Sequence, residues 1–227
     1  MNDPPVGELK LHLGCGSTVV PGWENIDKSP SIVLARVPAL RRALAAARVL
    51  TPEQANADFP SGIVRADVRR GLPYEEATVR YIYSSHMIEH MPRWQGLALV
   101  KECRRVLVPG GVLRLATPDL AQVVDAYRNG VKGDAATAAD AFMGGLGTFI
   151  EQPAPRVQRV LHRLFVAPHQ WLYDEQSLTL LLEEAGFVDV GVRGFLESAL
   201  SDISLLEHRE HSLFVEARRP PLVVASG

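Results

Sequence analysis

Seven short stretches of the chain either alternate apolar and polar residues or form brief apolar runs, and each predicts a strand. They are residues 10–13, 24–26, 63–68, 79–84, 112–119, 188–192 and 213–217. Longer segments with helical spacing of apolar residues lie between several of them. This interleaving is typical of an α/β protein with a mostly parallel sheet.

The clearest helical pattern covers residues 92–107, where one apolar face lies opposite charged residues. The same spacing predicts a helix over residues 37–50. A further helix begins after Asp174, which can cap it, and ends at Gly186. The two last predicted strands have no regular crossover between them.

The pattern is looser over about residues 119–168, which contain an alanine-rich stretch, three glycines and a further helix that opens at Pro155. Inserted material at this point of an α/β fold is where a substrate lid would lie. A solvated helical hairpin is the equally open alternative. The rest of the chain indicates one domain, residues 1–227, with this segment as its insertion.

A glycine turn follows the first predicted strand, and a carboxylate ends the second. Gly14 and Gly16 flank Cys15, and two glycines so close together allow a tight turn and a close approach of the backbone to a ligand. Asp27 stands where the second strand ends, the usual place of a carboxylate that binds ribose hydroxyls. A turn with only a structural role is the alternative.

A dinucleotide fingerprint would have a third glycine at position 19, but this residue is Val19. Only ten residues separate Gly16 from Asp27, which leaves no room for an ordinary helix between the first two strands. Both observations disfavour a nicotinamide-dependent oxidoreductase. A nucleoside without phosphates needs only the turn and the carboxylate.

Polar residues also follow the third and fourth strands. Asp67 ends the third, and Ser84, Ser85 and His86 end the fourth. Because ligands of open α/β sheets bind outside the carboxyl ends of the strands, these side chains are expected to face one pocket. Compared with His90, His86 lies nearer the end of the strand and is the better candidate for a general base in this pocket. His90, four residues on, has metal-ligand spacing from His86, but no third ligand is evident, so no metal site is expected.

These features resemble the class I S-adenosylmethionine-dependent methyltransferases, in particular small members with L-G-C-G followed closely by G-W-x-N-x-D. The resemblance extends over about residues 10–218 and includes the segments S-x-x-x-E-H, L-V-P-G-G-V-L-R-L and H-x-W-x-Y-D. It implies a Rossmann-like, mostly parallel seven-stranded sheet with an antiparallel terminal hairpin and a helical lid insertion. It also implies S-adenosyl-L-methionine as cofactor.

The resemblance assigns a role to each residue around the predicted pocket. Asp27 would bind the ribose, and Asp67 would accept a hydrogen bond from the adenine amino group. The residue that is commonly acidic in the family, and near the amino group of the bound methionine, is here His12. The full set expected to bind the cofactor is His12, Gly14, Cys15, Gly16, Asp27, Asp67, Val68, Ser84 and Ser85.

The resemblance favours a small-molecule acceptor, a hydroxyl of a sugar or secondary metabolite, with His86 and then His169 as candidate catalytic bases. The Asn-Pro-Pro-Tyr segment of nucleic-acid amino methyltransferases is absent after the fourth strand, and a formal charge of −2 gives no general attraction to nucleic acid. The alternative is a non-catalytic module of the same fold that binds the cofactor or a protein partner.

Composition agrees with an ordinary globular protein, since 47% of the residues are hydrophobic and 22% are charged. Cys15 and Cys103 are expected to be two separate thiols. No apolar run is long enough to span a membrane, and residues 1–5 lack the features of a signal peptide, so the expected location is the cytoplasm.

Overall fold

The computed structural model describes residues 8–47, 50, 60–130, 137–147 and 168–222. Its strands are β1 (Leu9–Leu13), β2 (Glu24–Asp27), β3 (Ile63–Arg65), β4 (Val79–Ser85), β5 (Leu107–Thr117), β6 (Val188–Arg193) and β7 (Leu213–Arg218). Its α-helices are α1 (Pro30–Ala35), α2 (Pro38–Ala46), α3 (Arg93–Val106), α4 (Leu120–Arg128), α5 (Ala138–Leu146), α6 (Glu175–Glu184) and α7 (Ile203–Leu206). Short 3₁₀ helices follow β3 and β4, at Val68–Arg70 and Ile88–His90.

The strands form one sheet of seven in the order β3-β2-β1-β4-β5-β7-β6. The first five in this order are parallel, whereas β7 is antiparallel to both β5 and β6. This confirms the Rossmann-like sheet with an antiparallel terminal pair that the sequence predicts. The carboxyl ends of the five parallel strands therefore lie at one edge, beside the start of β7.

Helices α3 and α6 contribute to the main core because each carries a stripe of apolar residues at helical spacing. Leu99 and Cys103 of α3 and Leu178 and Leu181 of α6 are all at most 4% exposed. A smaller cluster lies on the opposite face of the sheet around Tyr83, whose neighbours in β4 point the other way. Burial on both faces explains the nearly continuous apolar character of the central strands.

The helix predicted over residues 92–107 is confirmed as α3, with a proline at its N-cap. The strand predicted to start at position 112, after a helix stop at residues 109–111, instead starts directly at the end of α3. Leu107 already pairs with Val79, and the register shifts before the rest of β5 pairs regularly with β4. The proline and glycines therefore form an irregular part of the strand.

Two other predicted elements are shorter in the structure than in the sequence pattern. The run over residues 63–68 gives only the three-residue strand β3, because Asp67 accepts from the Arg69 amide and caps a 3₁₀ helix. The helix predicted over residues 37–50 is α2, and a separate helix, α1, precedes it. No helix lies between Gly16 and β2, as the length of this connection predicts.

The predicted lid segment contains α4 and α5, which contact each other through Tyr127 and Phe142, with ring centroids 5.3 Å apart. Neither helix has a fully buried residue. The helix predicted to open at Pro155 lies outside the described residues. The lid and the single-domain organisation stay predictions. Among the described residues, no helix has both the length and the apolar character that crossing a membrane requires.

Candidate functional site

The turn between β1 and the loop before β2 depends on its two glycines. Gly14 and Gly16 have φ angles of 69° and 56°, which cost glycine no steric penalty. The amides of Gly14 and Cys15 both donate to the carbonyl oxygen of Ile26, at 2.8 and 3.2 Å. A Cβ on Gly14 would lie 2.7 Å from Sδ of Met87. The glycine turn therefore packs directly against the segment that follows β4.

Asp27 is fixed beside this turn by backbone amides. Its Oδ2 accepts from the amide of Gly16 at 2.9 Å, and its Oδ1 accepts from the amide of Ser29 at 2.5 Å. Each carboxylate oxygen has two lone pairs, so both can accept a further hydrogen bond. A Cβ on Gly16 would meet no atom within 4 Å, so the space next to this residue is open. Asp27, which is predicted to bind the ribose, therefore lies next to the glycine turn, which is predicted to bind the cofactor.

His12 lies in β1, two residues before the turn, and is 3% exposed. Its Nδ1 is 3.3 Å from Oδ1 of Asn25, and its ring packs against Tyr83 with centroids 5.4 Å apart. Burial lowers the pKa of His12 to about 4, so the imidazole is neutral at pH 7. The position that is commonly acidic in the family therefore carries no charge here.

Cys15 contributes its backbone to the turn and keeps its thiol in the core. Its side chain is buried, and burial, followed by the nearby carboxylate of Asp27, raises the pKa of the thiol to about 12. A thiolate is the reactive form of cysteine, so this thiol is inert at neutral pH. Cys15 and Cys103 are both free, as the sequence predicts.

Asp67 stands at the carboxyl end of β3, and its carboxylate is paired within its own turn. Oδ1 and Oδ2 accept from Nε and Nη2 of Arg69, at 2.8 and 2.6 Å. These hydrogen bonds hold the pKa of Asp67 down, at about 2. Val68, next to it, is buried. An adenine amino group at this place would share an ionised carboxylate with the Arg69 guanidinium.

Ser84 and Ser85 end β4, as predicted, but they differ in environment. Ser84 is 3% exposed, and its hydroxyl has no hydrogen-bond partner among the described residues. Ser85 is half-buried at the last position of the strand. A buried hydroxyl without a partner costs free energy, so Ser84 is a place where a ligand or water would be stabilised.

His86 is the residue at which the end of β4 meets β5 and the start of β7. Its backbone has a φ of 49°, unusual for a residue with a side chain, and its amide donates to the carbonyl of Ala116 in β5 at 2.9 Å. Nε2 is 2.9 Å from Oγ of Ser212, just before β7, and Nδ1 is 3.3 Å from Oε1 of Glu89. Both ring nitrogens therefore face polar groups.

The sequence pattern does not reveal the two partners of His86. Glu89 is fully buried although it is a carboxylate, and Ser212 is 8% exposed and far away in the chain. The E-H pair of the S-x-x-x-E-H segment is the one signal that could have pointed to Glu89. For Ser212, the contact arises from the antiparallel pairing of β7 with β5, which a pattern of single strands does not encode.

His90 and His169 lie against each other, with ring centroids 4.9 Å apart. His90 belongs to the 3₁₀ helix after β4, whereas His86 precedes that helix, so the two do not share a helical face. Nδ1 of His169 is 2.9 Å from the carbonyl oxygen of Leu146, at the end of α5. Burial lowers the pKa of His169. The second predicted base thus lies against His90.

A cleft of about 650 Å³ opens between the start of α4, the start of α6 and the strands β6 and β7. It includes Asp119, Asp174, Arg193 and Ser212 in its lining, and it lies away from the glycine turn. Asp119 and Asp174 act as helix caps through their side chains. Ser212, which lines the cleft, also contacts His86 at the end of β4.

Comparison with known proteins gives a family match for the first part of the chain. Residues 11–115 match the family described as "Methyltransferase domain". A probable S-adenosylmethionine-dependent methyltransferase of Mycolicibacterium smegmatis (strain ATCC 700084 / mc(2)155) is 41% identical over 59 residues, which are 24% of this chain and 22% of that protein.

Solved structures of methyltransferases resemble the chain over almost all of its length. An S-adenosylmethionine-dependent methyltransferase from Mesorhizobium loti is 21% identical with a TM-score of 0.47, over 95% of this chain and 93% of that one. Human N-acetylserotonin methyltransferase is 14% identical with a TM-score of 0.44, over 94% of this chain and 48% of that one. The chain thus spans about half the length of the human protein. At these identities the likeness does not extend to activity or substrate.

The family match includes the glycine turn, Asp27, Asp67, Ser84 and His86, and it ends within β5. These residues all lie at the turn after β1 or at the carboxyl ends of β2, β3 and β4. Over residues 11–115 the chain is therefore similar to the methyltransferase-domain family, and its sheet has the Rossmann-like strand order.

Proposed function

We propose that the chain is an S-adenosylmethionine-dependent methyltransferase whose cofactor binds across the carboxyl ends of β1 to β4. The observation that carries this proposal is the pairing of Asp27 with the amide of Gly16 at 2.9 Å, beside open space at the glycine turn. A carboxylate there can accept hydrogen bonds from the two ribose hydroxyls. The absence of a third glycine argues against a pyrophosphate at the same turn.

The surrounding residues fit a nucleoside of this kind. Asp27 retains acceptor capacity for the ribose, and Asp67 is an ionised acceptor at the end of the neighbouring strand. Ser84 offers a buried hydroxyl without a partner among the described residues. When bound, the cofactor supplies a methyl group on a sulfonium sulfur, and the sulfur keeps the bonding electron pair as an acceptor atom attacks the methyl carbon.

The acceptor that we propose is a hydroxyl group of a small molecule, with His86 as the base that takes its proton. His86 follows directly on the last residue of β4. The next residue, Met87, packs against Gly14 of the glycine turn. The cleft beside Ser212 has about 650 Å³, within the common range for small-ligand pockets of roughly 300–1,000 Å³. Its lining includes Ser212, whose Oγ lies 2.9 Å from Nε2 of His86, and this contact supports the assignment of His86.

A second candidate function is a binding module that holds the cofactor without methyl transfer. The neutral, buried His12 supports it, because this position is commonly acidic in the family and lies near the methionine amino group. The two functions share the cofactor and differ in turnover.

The cofactor site is tested by calorimetric titration of the Gly16→Ala variant with S-adenosylmethionine and S-adenosylhomocysteine. Its new methyl group enters the open space beside Asp27, so we expect affinity to fall at least about tenfold, or about 1.4 kcal/mol. The matched control is Gly22→Ala, because Gly22 also has a positive φ and no atom within 4 Å of an added Cβ, but lies before β2.

Wild-type protein and Gly22→Ala should bind both sulfur nucleosides alike, and NADH should not bind. If the wild type binds neither nucleoside, or if both glycine variants lose affinity equally, the assignment of the glycine turn as the cofactor site is wrong.

A further inference from the structure

We propose that Glu89, His90 and His169 form a binding site for one divalent transition-metal ion of the zinc type. One possible ligand atom from each residue lies within 4.8 Å of the other two. Two imidazole nitrogens and one carboxylate oxygen are a ligand set that binds Zn²⁺ in enzymes. The sequence shows His90 without a third ligand, and the fold supplies that ligand from His169, far along the chain.

The spacing suits an ion after small side-chain movements. Tetrahedral coordination at about 2.0–2.1 Å requires ligand atoms about 3.4 Å apart. The present upper limit of 4.8 Å exceeds this by little more than an ångström, which rotation about side-chain torsions can supply.

The backbone contacts of the two imidazoles favour the tautomer that metal binding through Nε2 requires. Nδ1 of His90 is 3.3 Å from the carbonyl oxygen of Pro168, and Nδ1 of His169 is 2.9 Å from that of Leu146. A carbonyl oxygen can only accept, so each Nδ1 carries the hydrogen in these contacts. Nε2 of both neutral rings therefore keeps its lone pair for a ligand bond. Histidine ligands of metals commonly make this second hydrogen bond to a backbone carbonyl.

Glu89 supplies the independent observation that points to a ligand. The residue is fully buried, and its Oε1 has no hydrogen bond within the described residues, although Nδ1 of His86 is 3.3 Å away. Its Oε2 has only a long contact of 3.5 Å with Oγ1 of Thr117. A buried carboxylate with such sparse hydrogen bonding is costly, and a cation beside it removes that cost.

The backbone holds these three residues together. The amides of Gln170 and Trp171 donate to the carbonyl oxygen of Glu89 at 2.7 and 3.1 Å, which fixes the segment after His169 to the 3₁₀ helix. Gly147 has a φ of 63°, and a Cβ there would lie 2.3 Å from Nδ1 of His169. The end of α5 thus leaves room for the imidazole only because residue 147 is glycine.

Three protein ligands leave a coordination position open, as in catalytic rather than structural zinc sites. The site lies just past the carboxyl end of β4, next to His86. If the proposed methyl transfer is correct, on which this step rests, the open position takes the acceptor oxygen and lowers the pKa of its hydroxyl. The acceptor would then be an alcohol or phenol.

The experiment is calorimetric titration of the chelator-treated protein with Zn²⁺, and with Mg²⁺ for comparison. We expect one Zn²⁺ per chain and much weaker Mg²⁺ binding, because Mg²⁺ prefers oxygen ligands. His90→Ala and His169→Ala should each lower Zn²⁺ affinity at least about 100-fold, more than the 10- to 100-fold typical of outer-shell changes. Glu89→Gln keeps the buried shape and should lower affinity at least about tenfold.

His208→Ala is the matched control, since His208 is exposed and should leave zinc binding unchanged. Circular dichroism checks that each variant is folded. Absence of Zn²⁺ binding, or binding that survives all three ligand substitutions in folded protein, overturns the proposal. A titration with S-adenosylmethionine on the same protein separates the two proposals, because loss of the metal site leaves the cofactor site at the glycine turn intact.

Discussion

Gly14 combines a backbone conformation that favours glycine with a neighbour that leaves no room for a side chain. We expect Gly14→Ala to cost about 1–2 kcal/mol for the left-handed conformation and about 1–3 kcal/mol more for crowding of Met87, whose Sδ is 2.7 Å from the added Cβ. Gly22→Ala should cost only the about 1–2 kcal/mol of the left-handed conformation, because no atom lies within 4 Å of its added Cβ. Urea unfolding of both variants measures the difference.

Adding Met87→Ala to Gly14→Ala should recover part of the crowding cost and none of the conformational cost. Equal destabilisation by Gly14→Ala and Gly22→Ala would contradict the contact between the glycine turn and Met87.

His12 makes stability depend on pH in a definite direction. Burial lowers its pKa from 6.5 to about 4 in the folded state, so the unfolded chain binds a proton more readily between these values. The contribution of neutral His12 to the free energy of unfolding is therefore complete above pH 6.5 and is lost as the pH falls towards 4. From pH 7.5 to pH 5 this amounts to about 2 kcal/mol. His12→Phe should flatten that part of the stability profile.

The measurement is chemical denaturation of the wild type and His12→Phe at several pH values between 5 and 7.5. Asn25 still accepts from the amide of Val20 at 3.0 Å in the variant, which limits the loss of hydrogen bonds. Parallel profiles for the two proteins would mean that His12 titrates normally in the folded state.

At the residue level, the sequence predicted the groups that follow directly from the end of a strand. Asp27, Asp67 and His86 stand where the alternation of β2, β3 and β4 stops, and the structure has them there. The pairing of Asp67 with Arg69 and of His86 with Ser212 was not predictable in the same way. Those contacts depend on side-chain conformation and on tertiary pairing.

At the level of elements, Arg114 joins β5 to β7 and to the loop after β6. All five of its N–H groups are satisfied: Glu207 accepts two, at 2.5 and 3.0 Å, Glu216 accepts one at 3.2 Å, and two backbone carbonyls accept the others. Arg114 and Glu207 have fully buried side chains. Arg114→Met leaves two buried carboxylates without their cation and should cost about 3–5 kcal/mol.

Arg193→Met is the control, because Arg193 lies 4.0 Å from Glu216 but its side chain is 45% exposed. An exposed pair contributes roughly 0–1 kcal/mol, so this variant should unfold close to the wild type in urea. A small effect of Arg114→Met would show that the end of the sheet does not depend on the buried cation.

Elements with strong periodicity were predicted well, and those with competing signals were not. The 14 residues of α3 and the alternation of β7 are clear in the sequence. The start of β5 was misplaced because Pro109 and Gly110 normally end elements, whereas here Gly110 donates to the carbonyl of Arg219 and continues the sheet. α4 was missed because its nine residues lie in a segment without a buried face.

On the scale of the whole molecule, the order of strands places His86 where three parts of the chain meet. This strand order is that of the Rossmann-like class of fold, and the motifs of the sequence predicted that class. The contact of His86 with β5 depends on the parallel pairing of β4 with β5, and its contact with Ser212 depends on β7 lying antiparallel to β5. The fold therefore explains how the candidate base comes to lie between Met87, which packs on the glycine turn, and Ser212, which lines the cleft.

His86→Ala should separate binding from turnover. The side chain does not contribute to the glycine turn, so affinity for S-adenosylmethionine should stay within about twofold of the wild type, or about 0.4 kcal/mol. Loss of a base should lower kcat about 10²- to 10⁴-fold with a hydroxyl acceptor. Release of S-adenosylhomocysteine across a panel of hydroxylated small molecules measures turnover, and calorimetry measures binding.

His208→Ala is again the control, because it removes an exposed imidazole that has no predicted role in the reaction. Unchanged turnover in His86→Ala would remove His86 from the reaction. Cofactor binding by the wild type without turnover of any acceptor in the panel would favour the binding module, since the turn and Asp27 suffice for binding. Turnover that depends on His86 would instead place proton transfer at the junction of β4, β5 and β7, where His86 contacts Ser212.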